Sequence, residues 1–145
     1  MASPELDKPP SVAAAIDVIE QTYELMLAYA AQGREREEGD PIGIRNALQR
    51  ADRALDVLEN ATPSDMGSTG AALDAATAGM LAVLKQDVAK ARAAFRFVLA
   101  QRTIGSQMID NVNASIHVRA LLTDVFLIDE TLVAGRAPCS HSVSH

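Results

Sequence analysis

Residues 116–133, IHVRALLTDVFLIDETLV, decide how this chain folds. They contain neither glycine nor proline, and their apolar positions recur at helical spacing over more of the circumference than one helix contact covers. Such a helix has to be enclosed by several neighbours or by a second chain. The segment therefore predicts a multi-helix packing. Its residues Leu121, Leu122, Val125, Phe126 and Leu132 form the candidate oligomer or partner interface.

Working outward, Met108, Ile109, Val112 and Ile116 continue the apolar spacing toward the N-terminus, so a single closing helix is expected from about Met108 to Val133, stopped by Gly135 and Pro138. A bend is expected at residues 103–106 (TIGS). Before it, Leu73, Met80, Leu84, Val88, Ala91, Phe95 and Val98 share one stripe of a helix over residues 71–102. At 1.5 Å per residue that helix spans roughly 45 Å and overhangs shorter partners. Residues 62–70 (TPSDMGSTG) read as a connecting loop.

Two shorter helices come first. Ser11 offers a hydroxyl cap to a run with Val12, Ile16, Ile19, Tyr23, Met26 and Ala30 on one side. Asp40-Pro41 signals a restart, followed by Ile44, Ala47, Leu48, Ala51, Leu55 and Leu58. The opposite side of this second helix, with Arg45, Gln49, Asp52, Arg53, Asp56 and Glu59, reads as a solvated face, and residues 33–39 (GREREEG) as a solvated connection. No strand alternation and no fixed-period repeat occur. The expected fold is all-α: an antiparallel four-helix bundle with two shorter and two longer helices, oligomeric through the apolar overhang. A flexible segment over residues 1–10, one domain over 11–135 and a flexible tail over 136–145 complete the expected organisation.

Composition agrees. The 145 residues suffice for one domain, and 48% hydrophobic content with 22% charge excludes wholesale disorder. With 26 alanines, no tryptophan and 3% aromatic residues, the core suits closely approaching helices. Ten arginines against three lysines, with so much alanine, fit a GC-rich bacterial genome. A net charge of −6 argues against nucleic acid as a partner. No run approaches eighteen apolar residues and the N-terminus lacks a signal-peptide pattern, so no membrane association and a cytoplasmic location are expected. The one cysteine, Cys139, has no partner for an internal disulfide.

Chemical signatures are sparse. Two of the three histidines, His141 and His145, fall in the tail, and no Glu-x-x-His pair exists, so neither a metal nor another cofactor is expected. Glu20 and Glu24 share a helix face and, with Asp110 or Glu130, are weighed against a cation site; solvated carboxylates are the better reading. Ser106, Ser115 and Thr123 have no local base to activate them, and Gly67 and Gly70 lack the Lys-Ser/Thr of a phosphate-binding loop. An enzyme is therefore the weaker of the readings, though not one the residues exclude.

The run Ser115-Ile116-His117-Val118-Arg119-Ala120-Leu121-Leu122 resembles the phosphoacceptor helix of histidine phosphotransfer proteins and sensor kinases. That resemblance implies a phosphoryl-accepting imidazole at His117 with Arg119 beside it. The Lys-Gly pair that follows the phosphotransfer histidine is absent, as is the acidic residue that follows the kinase histidine. Tyr23-Glu24-Leu25-Met26, Glu38-Gly39-Asp40 and Ala47-Leu48-Gln49-Arg50-Ala51 are similar to the first two helices of flagellin export chaperones, and tetratricopeptide hairpins share much of the pattern. The function expected is protein–protein interaction as a homo-oligomer, in an adaptor, chaperone or regulator. The alternatives are a bundle holding a small apolar ligand or cofactor between its helices and phosphotransfer through His117.

Overall fold

The computed structural model describes residues 11–66 and 71–136, with side chains for 11–66 and 74–131. The N-terminal segment 1–10 and the tail residues Cys139, His141 and His145 lie outside the described residues. The architecture is all-helical: α1 (Val12–Ala31), α2 (Ile44–Glu59), a 3-10 turn (Pro63–Met66), α3 (Ala71–Leu99), α4 (Ser106–Ala114) and α5 (Ile116–Arg136). No strand occurs among the described residues.

Local chemistry sets the ends. Ser11 Oγ accepts the Ala14 amide at 3.1 Å and starts α1. Gly33 follows its last turn at φ 65°, a left-handed stop that a glycine takes without steric cost. Asp40 caps as expected but from farther away. Its two carboxylate oxygens accept the amides of Ile42 and Ile44, each at 2.8 Å, and α2 begins at Ile44 rather than at Pro41.

Helix α1 packs on α2 and on α4, α2 packs on α3, and α3 packs on α5, which returns to α1. Hydrogen bonds and shared cavity walls fix the directions. Arg45 reaches Leu99 while Asp52 reaches Arg92 and Arg96, so α2 and α3 are antiparallel. Phe95 lines the same small cavity as Val118 and Leu121, and Asp87 meets Asp124, so α3 and α5 are antiparallel as well. Between the helices lies one core of Ile16, Met26, Tyr29, Leu48, Leu55, Leu84, Ile109 and Leu121, all essentially inaccessible.

The closing helix differs from expectation. It is two helices, nine and twenty-one residues long, broken at Ser115 with extended backbone (φ −60°, ψ 130°). Ser115 ends α4 and starts α5: its amide donates to Val112, its hydroxyl accepts the His117 amide at 3.3 Å, and its carbonyl accepts the Arg119 amide at 3.0 Å. The Asn113 side chain, donating to the Met26 carbonyl at 3.3 Å, holds the end of α4 against α1.

The 33–39 connection is largely exposed, as expected, and it is anchored as well. Arg34 and Ser106 exchange two hydrogen bonds, at 2.7 and 2.8 Å. The Ser106 hydroxyl donates to the Tyr29 carbonyl at 2.6 Å, and the Tyr29 hydroxyl donates to the Ile104 carbonyl. Backbone passes so close here that a Cβ on Gly105 would stand 3.0 Å from the Glu35 carbonyl oxygen.

Candidate functional site

Interaction surface comes first, because the sequence points there. Leu121, Leu122 and Val125 are buried inside the single chain, as are Val118 and Ile128, against α1 and α3. The chain's own helices thus enclose most of the apolar circumference of α5, and these three residues offer no free surface to a partner. Of the five interface candidates Phe126 is exposed, at 42%. The side chain of Leu132 lies outside the described residues. Ile116 and Leu127 are exposed too, on the outward side of α5.

A longer apolar face lies on α3, where it was not expected. Opposite the core stripe, Ala76, Gly79, Val83, Gln86, Lys90, Ala93 and Phe97 follow one another at alternating three- and four-residue steps, and all are exposed. Alanines 75, 78, 82 and 89 flank that line and are likewise exposed. Phe97 stands 71% exposed and Val83 47%. The missed signal was a second heptad stripe, half a turn away from the first; the core stripe alone had accounted for the helix.

Candidate chemistry is held in place elsewhere. His117 and Arg119 are both exposed near the start of α5, two residues apart, and positions so spaced do not share a helix face. The hydroxyls considered as nucleophiles are engaged in local bonds: Ser106 with Tyr29 and Arg34, Ser115 with the His117 amide, and Thr123 with the Arg119 carbonyl at 3.0 Å. Among the described residues no group of three or more His, Cys, Asp and Glu side chains is placed to hold a metal ion.

Two acid pairs bracket α5. Asp124, 8% exposed, meets Asp87 of α3; burial and then the hydrogen bond and charge of Asp87 push its carboxyl up to about 7. Glu20 of α1 meets Asp129, and burial, that hydrogen bond and the charges of Asp129, Asp17 and Glu24 likewise raise it to about 7. Each pair sets two carboxyls together across a helix seam, which favours the protonated form of one of them.

Two cavities bear on ligand binding. The one inside the packing, between Thr22, Met26, Ala51, Phe95, Val118 and Leu122, has a volume of about 10 Å³. Small-molecule sites run to about 300–1,000 Å³. An open cleft of about 610 Å³ lies outside, where Arg34, Glu35, Thr103, Ser106, Gln107 and Asp110 face it. Its charges are mixed and its hydroxyls are committed to the backbone.

No helix among the described residues is long and apolar enough to cross a membrane. Comparison of the chain with protein-family models, curated proteins and solved structures finds no match.

Proposed function

We propose that this chain is a four-helix bundle, its fourth member split at Ser115, that works by protein–protein contact as a homo-oligomer, in the manner of an adaptor, chaperone or regulator. One observation carries the reading. A line of exposed residues in heptad register follows α3 from Ala76 to Phe97, apolar except at Gln86 and Lys90, with Ile116, Phe126 and Leu127 exposed on α5. Scattered apolar residues need no explanation, but a line of them in heptad register along a 29-residue helix suits a helical partner.

The alternatives draw less support. For a small apolar ligand, the cavity between Met26, Phe95 and Val118 offers about 10 Å³. Phosphotransfer has an accessible imidazole in His117, but Arg119 projects from another face of the helix.

Light scattering on the eluting full-length protein, from low micromolar upward, tests the main reading. A mass that rises with concentration supports it, and a Phe126→Asp variant shows whether α5 takes part. A monomer at every concentration contradicts the homo-oligomer.

A further inference from the structure

We infer that α5 is a proton-controlled latch. While one acid of the pair on each of its two seams is protonated, it stays seated against α1 and α3, and when both acids ionise it undocks about Ser115. The device lies within one chain and does not depend on what that chain contacts.

The way α5 is attached points to this. The α2–α3 seam is clamped by Arg92 and Arg96 on Asp52, Asp56 and Glu59, and α4 is tied to α1 and to the 33–39 connection through Ser106 and Asn113. No such clamp holds α5. Among the described residues its threonines bond inside the helix, Thr123 to Arg119 and Thr131 to Ile128, and the ion pairs all lie elsewhere. Its polar links to the other long helices are Asp124 with Asp87 of α3 and Asp129 with Glu20 of α1. The rest of its seat is apolar: Val118, Leu121, Leu122, Val125 and Ile128.

Neither pair is built for two charges. Asp124 is 8% exposed, and no donor reaches its buried Oδ2. The charged group that faces it is Asp87 of α3, and α1 presents none among the described residues. One turn from Asp87, Lys90 is exposed and pairs with neither acid. Glu20 faces Asp129, with Asp17 and Glu24 beside it on α1. Every charge around the two seams is thus of one sign, and a buried carboxylate without a donor is strongly disfavoured. A proton on one acid makes each pair a hydrogen bond across its seam, and its loss leaves like charges opposed.

The joint is already cut. Ser115 has extended backbone, ends α4 and caps α5, so α5 can leave without unwinding α4. Most of a helix's stability in a protein comes from its packing, so the amides of an undocked α5 exchange with water. An acid that titrates near 7 when seated and at about 4 when released favours undocking by up to about tenfold per pH unit between those values, and no further above them.

Hydrogen exchange on the full chain, corrected for the intrinsic pH dependence of amide exchange, tests the latch at about pH 5 and about pH 8. At the higher pH the amides of α5 are expected to be about tenfold or more less protected than those of α2 and to respond little to low urea, as an opening smaller than global unfolding does. At the lower pH their protection is expected to rise by about tenfold or more. Asp124→Asn combined with Glu20→Gln supplies amides that donate to Asp87 and Asp129 at either pH, and is expected to abolish that rise. Asp124→Asn alone, which serves if the double variant does not fold, is expected to reduce it. Equal protection and equal urea dependence of α5 and α2 at the higher pH overturn the latch, because the pairs then serve the fold as a whole. Protection of α5 that ignores pH, or a rise that survives these substitutions, overturns it as well.

Discussion

Arg45 grips Glu37 through two parallel hydrogen bonds, Nε to Oε2 at 2.9 Å and Nη2 to Oε1 at 2.7 Å, while the same guanidinium donates to the carbonyls of Leu99 and Gln101. Glu37 in turn accepts the Ile104 amide at 2.9 Å. One ion pair thus ties the α1–α2 connection to the end of α3 and satisfies carbonyls the helix leaves unpaired. Arg45→Ala should cost about 2–3 kcal/mol in urea unfolding, and Arg45→Lys should recover little of it because an ammonium lacks the fork. The hydrogen bonds from Arg45 hold the Glu37 carboxyl below its usual range. This contribution is present above the unfolded pKa and is lost as pH falls through the folded one.

The acid pairs work in the opposite sense. Asp124 and Glu20 titrate near 7 in the folded chain, against about 4 when unfolded. Between those values the folded state binds more protons, so stability should fall as pH rises from about 4 to about 7 and level off above. Melting curves at acid and alkaline pH should show the higher Tm on the acid side of neutrality. Asp124→Asn should raise the alkaline Tm and flatten the slope. An unchanged slope in that variant would show that Asp124 does not take up the proton.

Two glycines should respond oppositely to alanine. Gly105→Ala pushes a methyl to 3.0 Å from the Glu35 carbonyl oxygen and 3.2 Å from that of Arg34. The crowded atoms belong to backbone, so a loss of about 1–3 kcal/mol is expected. Gly79→Ala meets open space and should gain up to about 1 kcal/mol in dilute solution. Denaturant midpoints of the two variants, measured side by side, check both signs.

Arg92 gathers three acids. Its guanidinium, 11% exposed, reaches Asp52 at 3.0 Å, Asp56 at 3.2 Å and Glu59 at 2.8 Å. Although burial works to raise the Asp52 carboxyl, hydrogen bonds from Arg92 and Arg96 hold it below its ordinary range. Arg92→Ala leaves Asp56 and Glu59 without their cation and Asp52 with Arg96 alone, and should cost about 2–4 kcal/mol, more at low salt than at high. A loss below about 0.5 kcal/mol, the level of a surface pair, would contradict the assigned role.

Periodicity made α1, α2 and α3 legible, because Ile16, Ile19, Met26, Leu48, Leu55, Leu84, Val88 and Phe95 all face the core that their spacing implies. The break at Ser115 was hidden because apolar residues continue on both sides of it, and the capping chemistry of one serine weighs little against a run of leucines. Asp52, Asp56 and Glu59 read as solvated until Arg92 and Arg96, some forty residues on, supply the partners. Glu37 and Arg45 were obscure for the same reason: the Ile104 amide that Glu37 accepts and the Leu99 and Gln101 carbonyls that Arg45 serves belong to another connection. The apolar excess of α5 was overestimated, since α1 and α3 cover Leu121, Leu122 and Val125. The face on α3 was overlooked because alanine reads as a helix former before it reads as a surface.

Hydroxyl-radical footprinting of Phe97 across a concentration series tests most directly whether the outer face of α3 meets a second copy. The ring is 71% exposed in the single chain. It should label quickly in dilute solution and become protected as the protein is concentrated, while exposed residues away from the face, such as Leu27, keep a constant rate. Equal labelling of Phe97 at every concentration would contradict the account.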